Sequence, residues 1–341
     1  GTLTKGILLI DPDGPLPEHL NVLNGLTNDE IWSFEQDHRG EIWMGSRNNI
    51  DIYNPSTGSI KTINHSFIIN NATNNRISFI KEIEKDKIFV DGIHGFNLID
   101  RAENTITKYI DDVKLANRVF GVIKDVTGTY WLATSDGLSV YNPETNIFKM
   151  FPETSPLSDS RLVIGIEVDE SGRYWLATNN GLLIIDPDKN TIQHLREQEG
   201  LCHNTIMKLM QKEDGKLWVA TRDGLSIVDP VNRTITNLRE AEGLMPDELY
   251  DLREKEGTIY IGSVNGLIQV TPPSDPNTPW SFFRYAEAQG FPSNDYKRNA
   301  GILLNNGQLW FGTSPGNKLT ILTQDPVIDT TPGPVSITGL R

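Results

Sequence analysis

The sequence predicts an all-β fold: a seven-bladed β-propeller of four-stranded antiparallel blades. Three observations carry the expectation. First, one stretch keeps returning. It reads DVTGTYWLATSDGLSVYNP at 125–143, DESGRYWLATNNGLLIIDP at 169–187 and DGKLWVATRDGLSIVDP at 214–230. Second, its aromatic anchor recurs at near-equal spacing, as Trp43, Phe89, Trp131, Trp175, Trp218, Tyr260 and Trp310, with gaps of 46, 42, 44, 43, 42 and 50 residues. Periods of this length mark solenoids and propellers. Third, the apolar runs are short, β-branched or aromatic, and bounded by Gly, Asn, Asp and Pro. That favours strands over the 3.6-residue spacing a helical repeat needs.

Each repeat resolves into the same parts. An acidic turn ends in Gly. The aromatic residue opens a strand that closes on Gly or Ala and then Thr or Ser. A polar turn leads to Gly-Leu, a second apolar strand and Asn/Asp-Pro. In a propeller both faces of a sheet are covered by its neighbours, so the middle strands read as continuous apolar runs, as at Ile42, Trp43 and Met44. The small residues Gly45, Ala133, Ala177, Ala220, Gly262 and Gly312 fall two positions after the anchor, on the same face of the strand. They leave room for the next sheet beside a large ring. Asp-Gly turns at Asp136-Gly137 and Asp223-Gly224 supply a positive φ at low cost.

In chain order, GILLIDP at 6–12 matches the strand after Gly-Leu, and 18–23 reads as an outer strand. Unit one is expected at Ile31–Phe34, Glu41–Ser46, Ile50–Asn54 and Ile60–Ile63. Unit two, the most divergent, is expected at Ile77–Ile83, Lys87–Val90, Phe96–Ile99 and Ile106–Tyr109. Units three to five are regular. In unit six the outer strand Ser281–Tyr285 is delayed by a Pro-rich loop. The last unit has Ala300–Leu304, Gln308–Thr313 and Lys318–Leu322, and needs an outer strand that the N-terminal segment can supply. Two segments, GILLIDP and KLTIL, compete for one slot, and the strand total exceeds seven fours by one. The propeller is expected over 1–324. The Pro-rich stretch in 325–341 reads as an exit linker, and VSITGLR as the start of a following domain.

The net charge of −14, from 31 basic and 45 acidic residues, argues against general nucleic-acid binding. No apolar run approaches the ~20 residues of a membrane helix. A single cysteine, Cys202, excludes an internal disulfide and a cysteine-based metal site. The six histidines show no metal-ligand spacing, and no cofactor is expected. The chain starts in mid-repeat and reads as an excised piece of a longer protein.

Units of the form D-x-x-G-x-x-W-x-A/G-T-x-x-G-L resemble the two-component regulator propeller repeat over nearly the whole chain. Units one and two depart from it, with Asn49 in place of the Gly of Gly-Leu and Phe89 in place of Trp. The resemblance implies the periplasmic sensor region of a bacterial hybrid two-component regulator. Two propellers there precede an immunoglobulin-like domain, a membrane helix and a histidine kinase, and many members sense glycans. It implies an oligosaccharide ligand, a neighbouring propeller and immunoglobulin-like domain on the same chain, and a homodimeric full-length protein. The propeller itself would be non-catalytic.

The anchors could form a sugar-stacking platform, but recurrence at one structural position favours core. The Asp-x-x-Gly turns at Asp37, Asp125 and Asp169 lack the alternating ligands of a calcium loop and read as hairpin turns. The more informative set lies on one rim, where each blade's lead-in loop meets the turn between its second and third strands. Lead-in loops carry Arg76, Arg118 and Arg161, the turns carry Arg47, His94 and Arg222, and His203 precedes unit five. Units six, seven and one carry Asp247, Glu248, Asp295, Asp29 and Glu30 instead. This is either scattered surface charge or a basic arc for an anionic or hydroxyl-rich ligand, since Arg forks bind carboxylate and sulfate bidentately. Three functions stay open: a sensor module binding a carbohydrate or a partner propeller, a propeller enzyme of lyase or lactonase type, and an interaction scaffold.

Overall fold

The computed structural model describes residues 6–10, 25–28, 30–64, 76–92, 95–110, 118–145, 147–151, 162–189, 191–245, 247–275, 278–285, 295–314 and 318–322. The expected outer strand at 18–23 and the exit at 325–341 lie outside them.

Seven four-stranded sheets are present. Six are the expected blades, each made of four consecutive antiparallel strands, spanning 33–64, 80–110, 119–151, 163–195, 206–238 and 249–285. The inner strands are Ser33–Gln36, Ile80–Glu84, Val119–Lys124, Val163–Val168, Ile206–Gln211 and Leu249–Lys255. Each inner strand packs on the inner strands of its neighbours.

The seventh sheet corrects the expectation of uniform antiparallel blades. It contains Asp295–Leu303, Leu309–Ser314 and Lys318–Leu322, with Gly6–Ile10 added on the outside. Gly6–Ile10 pairs parallel to Lys318–Leu322, with Leu8 opposite Thr320. KLTIL therefore takes the third position and GILLI the fourth, so the two do not compete. No hairpin joins the two ends of the chain, so the antiparallel sense that a tight turn imposes elsewhere does not apply here. The inner strand of this sheet packs on that of the first blade. Trp310 meets Phe34 edge-on at 6.3 Å, and the Asn305 N–H donates to Gln36 Oε1 at 2.8 Å.

The anchors are core. Six of the seven are buried. Trp131 is half-buried and stacks on Tyr174 of the next blade at 4.6 Å. The small residues after them do let the next sheet approach. A Cβ on Gly45 would lie 2.6 Å from the Ile77 carbonyl oxygen ahead of blade 2, and one on Gly312 would lie 2.8 Å from that of Ile31 ahead of blade 1.

The acidic turns have a second role that the sequence reading missed. The indole N–H groups of Trp43, Trp131 and Trp175 donate to Asp37, Asp125 and Asp169 at 2.9, 2.8 and 2.8 Å. The other carboxylate oxygen of Asp169 caps the turn, accepting the N–H groups of Ser171 and Arg173 at 3.0 Å each. An Asp six residues before the Trp thus closes the turn and satisfies a buried donor. Where it is absent, the ring meets other groups. In the last sheet Gln308 accepts from the Trp310 indole at 3.2 Å. In blade 5 a lysine, Lys212, stands at that position, and its ammonium lies 5.5 Å from the Trp218 ring centre as a cation–π contact, not as an acceptor. In blade 2, Arg101 reaches back to pair with Asp37 and Glu41 of blade 1, tying two blades together.

Candidate functional site: a rim and a central channel

The rim is built by the Thr-x-x-Gly-Leu motif. The hydroxyls of Thr134, Thr178, Thr221 and Ser263 donate across the turn to the carbonyls of Gly137, Gly181, Gly224 and Gly266 at 2.6–2.7 Å. Gly181 has φ +105, and a Cβ there would lie 2.5 Å from the Leu195 carbonyl oxygen on the outer strand. Only glycine fits such a site. In blade 1 the glycine is Asn49, and the strain moves to Asn48, with φ 65. The lead-in loop then docks beside the turn: the Ser135 N–H donates to the Arg118 carbonyl at 3.1 Å, and that of Arg222 to the Thr205 carbonyl at 3.1 Å. Backbone bonding thus sets lead-in and turn residues side by side.

Five of the seven expected rim residues are described; His94 and Arg161 lie outside the described residues. Arg47 and Arg76 are brought together by an isolated antiparallel bridge. The Arg76 guanidinium lies 4.2 Å from the Trp32 ring centre, and Arg47 pairs with Glu30 at 3.4 Å. Arg222 pairs with Glu248 of the next lead-in at 3.0 Å. His203 Nδ1 accepts the Thr205 N–H at 2.9 Å. Arg118 is half-buried and its charge acts on Asp91. Burial pushes the Asp91 carboxyl up to about 7, against hydrogen bonds from the Ser78 hydroxyl and the Phe79 N–H and against the pull of Arg118. The division into a basic and an acidic half is therefore blurred. Glu30 and Glu248 each meet an Arg, and Asp247 accepts from Arg284 and from the Asn265 amide at 3.0 Å each.

A second site lies on the propeller axis. A cavity of about 560 Å³ is lined by the inner strands of all seven sheets. Across from the aromatic anchors, one inner-strand position recurs in each sheet. It holds Glu35, Lys81, Ile123, Glu167, Met210, Arg253 and Ile302. All but Met210 line the channel. Lys81 pairs with Glu35 at 3.4 Å, which also accepts the Glu82 N–H at 2.9 Å. Asp251 is held by Arg253 at 3.2 Å and Lys208 at 3.8 Å. Lys208 also donates to Asn299 at 2.7 Å, and Arg253 to the Gly301 carbonyl. Burial raises the Glu35 and Glu167 carboxyls and lowers the Lys208 ammonium from their ordinary values. The sequence reading did not find these residues. Their signal was a charged residue at the inner-strand position across from the anchor, where other blades carry Ile or Met. Among the described residues, no group of three His, Cys, Asp or Glu could hold a metal ion. No helix among them is long and apolar enough to cross a membrane.

Residues 25–48 match the family model described as "Two component regulator propeller". No curated protein matches the sequence. Among solved structures, the fold is similar to the extracellular domain of the putative hybrid two component system BT3049 from B. thetaiotaomicron. That match has 16% identity and a TM-score of 0.70, over 89% of this chain and 41% of that one. It is also similar to the extracellular domain of the putative hybrid two component system BT4673 from the same organism, at 17% identity and a TM-score of 0.66, over 83% of this chain and 39% of that one. The chain thus spans about two fifths of the length of either. Virginiamycin B lyase from Staphylococcus aureus shares the fold at 11% identity and a TM-score of 0.63, over 84% and 93% of the two chains.

Proposed function

We propose that this propeller is a non-catalytic, periplasmic ligand-sensing module of a hybrid two-component regulator. It takes an anionic oligosaccharide on the rim where lead-in loops and inter-strand turns meet. It sits between a preceding propeller and a following immunoglobulin-like domain of the same chain, in a protein that dimerises. The observation that carries this reading is the two-component propeller repeat at 25–48, set in a fold similar to the extracellular domains of two hybrid two-component systems. The rim adds chemical support. Binding groups on loops held by a rigid scaffold are a common arrangement, and Arg118 is fixed there by the Ser135 bond to its carbonyl. The residues around the paired Arg222 and Glu248 would let a sulfate or carboxylate exchange for an internal partner.

The test uses the intact sensor region, because a cleft shared with the neighbouring propeller would be only half present in this chain alone. Sulfated and uronic-acid oligosaccharides should bind it, more weakly as salt rises, since exposed charge is screened over roughly 8 Å at physiological ionic strength. The double substitution Arg118→Ala/Arg161→Ala should weaken that binding at least about tenfold, a loss of about 1.4 kcal/mol, with the melting temperature almost unchanged. Unchanged affinity in the double variant would remove the rim cations from the mechanism.

A further inference from the structure

We propose that the central channel is a binding site for a small zwitterion, whose ammonium group docks on Glu167 and whose carboxylate docks on Lys81. This site lies on the axis, away from the rim, and takes a different ligand.

The argument is one of unfilled valences. The channel lining carries two carboxylates, Glu35 and Glu167, and three cations, Lys81, Lys208 and Arg253, while Asp251 is fully buried outside that lining. Asp251 is satisfied by two of the cations. Glu35 is satisfied by Lys81 and a backbone N–H. Glu167 makes no hydrogen bond or ion pair with any described residue, although Lys208, Lys81 and Arg253 all act on it electrostatically. A carboxylate in a partly desolvated cavity is costly unless paired. An ammonium has three donors, and among the described residues Lys81 spends one, on Glu35. Its side chain is half-exposed, open to the cavity it lines.

The charge balance selects the ligand class. A simple cation would meet Glu167 but also three fixed positive charges. A simple anion would meet Lys81 but also Glu35 and Glu167. A neutral polyol would bring no charge to pair directly with Glu167. A molecule carrying both charges pairs with both open groups and leaves the net charge of the channel unchanged. The cavity of about 560 Å³ is in the range of small-ligand pockets and accommodates an amino acid or dipeptide. Phe79 and Phe120 in the lining offer apolar surface for a side chain.

The test is calorimetry with glycine, L-lysine, L-glutamate, γ-aminobutyrate and glycylglycine, with ethylamine and acetate as single-charge controls, each at up to about 10 mM. At least one zwitterion should bind, and neither control should. Glu167→Gln keeps the shape and removes the charge, so it should weaken that binding at least tenfold while the protein stays folded by circular dichroism. Lys81→Met should do the same, and Arg118→Ala should leave it unchanged. The inference is overturned if no zwitterion of the set binds, if ethylamine or acetate binds as well, or if Glu167→Gln binds as the parent does. Because Arg118→Ala separates rim from channel, loss of one reading leaves the other standing.

Discussion

Replacing Asp169 with Ala should destabilise the propeller by about 3 kcal/mol, and the sum follows from its bonds. The Trp175 indole donates to Asp169 Oδ2 at 2.8 Å, and Trp175 is 2% exposed. Left without an acceptor, that buried N–H costs about 1–3 kcal/mol. The Ser171 and Arg173 N–H groups lose the acceptor that closes the turn, at about 0.5–1.5 kcal/mol each, less whatever water restores. Arg173 also loses its 2.7 Å ion pair. Urea unfolding followed by circular dichroism measures the total. A second arm isolates the clamp: in a Trp175→Phe background the indole is gone, so Asp169→Ala should cost about 1–3 kcal/mol less there. The acidity adds a sign. Burial alone would raise the Asp169 carboxyl, but hydrogen bonds from Trp175, the Arg173 N–H and Ser171 outweigh it and hold it below its ordinary value. The stabilisation is thus complete above the ordinary carboxylate range and is lost as pH falls through the lowered value, so parent and variant should converge in acid. A cost under about 1 kcal/mol, or the same cost with and without the indole, would refute the clamp.

Gly45→Ala should be severely destabilising, by more than about 2 kcal/mol, because its Cβ would lie 2.3 Å from Ser33 Oγ and 2.6 Å from the Ile77 carbonyl oxygen. Gly165→Ala, whose Cβ would meet only Ala177 at 3.7 Å, should be nearly neutral, and equal melting temperatures for the two would contradict the blade-approach argument. Asp91 carries a pH signature of the opposite sign to Asp169. Burial raises its folded-state value to about 7, so the folded protein holds a proton that the unfolded chain releases, and stability should fall as pH rises from about 4 to 7. Asp91→Asn should flatten that slope and gain up to a few kcal/mol over the parent at pH about 7.5 relative to pH about 5; an unchanged slope in denaturation scans at the two pH values would count against a buried Asp91.

Much of the blade was legible because its signals are local. The aromatic, the small residue two positions on and the Thr-x-x-Gly turn each recur in sequence, and each maps to one contact. Strand starts were less legible. The first inner strand is Ser33–Gln36 rather than Ile31–Phe34, since the Ile31 side chain is buried in the lead-in and burial, not pairing, explains its apolarity. The parallel sense of Gly6–Ile10 depends on a partner more than 300 residues away, and nothing in GILLI encodes it. The rim was half legible. The described residues Arg47, Arg76, Arg118, His203 and Arg222 fall on lead-ins and turns, but pairs such as Arg222 with Glu248 join neighbouring blades and emerge only when the ring is assembled. The channel charges were readable in principle from register, since Glu167 lies across from Trp175, but an isolated Glu in an apolar strand looks like a solvent-facing residue until seven strands surround it.

Hydrogen exchange with and without an anionic oligosaccharide, on the intact sensor region, tests the functional account most directly. Binding should protect amides of the rim, around Arg118, Ser135, Thr205 and Arg222, and leave the acidic turns at Asp125 and Asp169 on the opposite end unchanged. Protection confined to those acidic turns, with the rim amides exchanging as before, would contradict it.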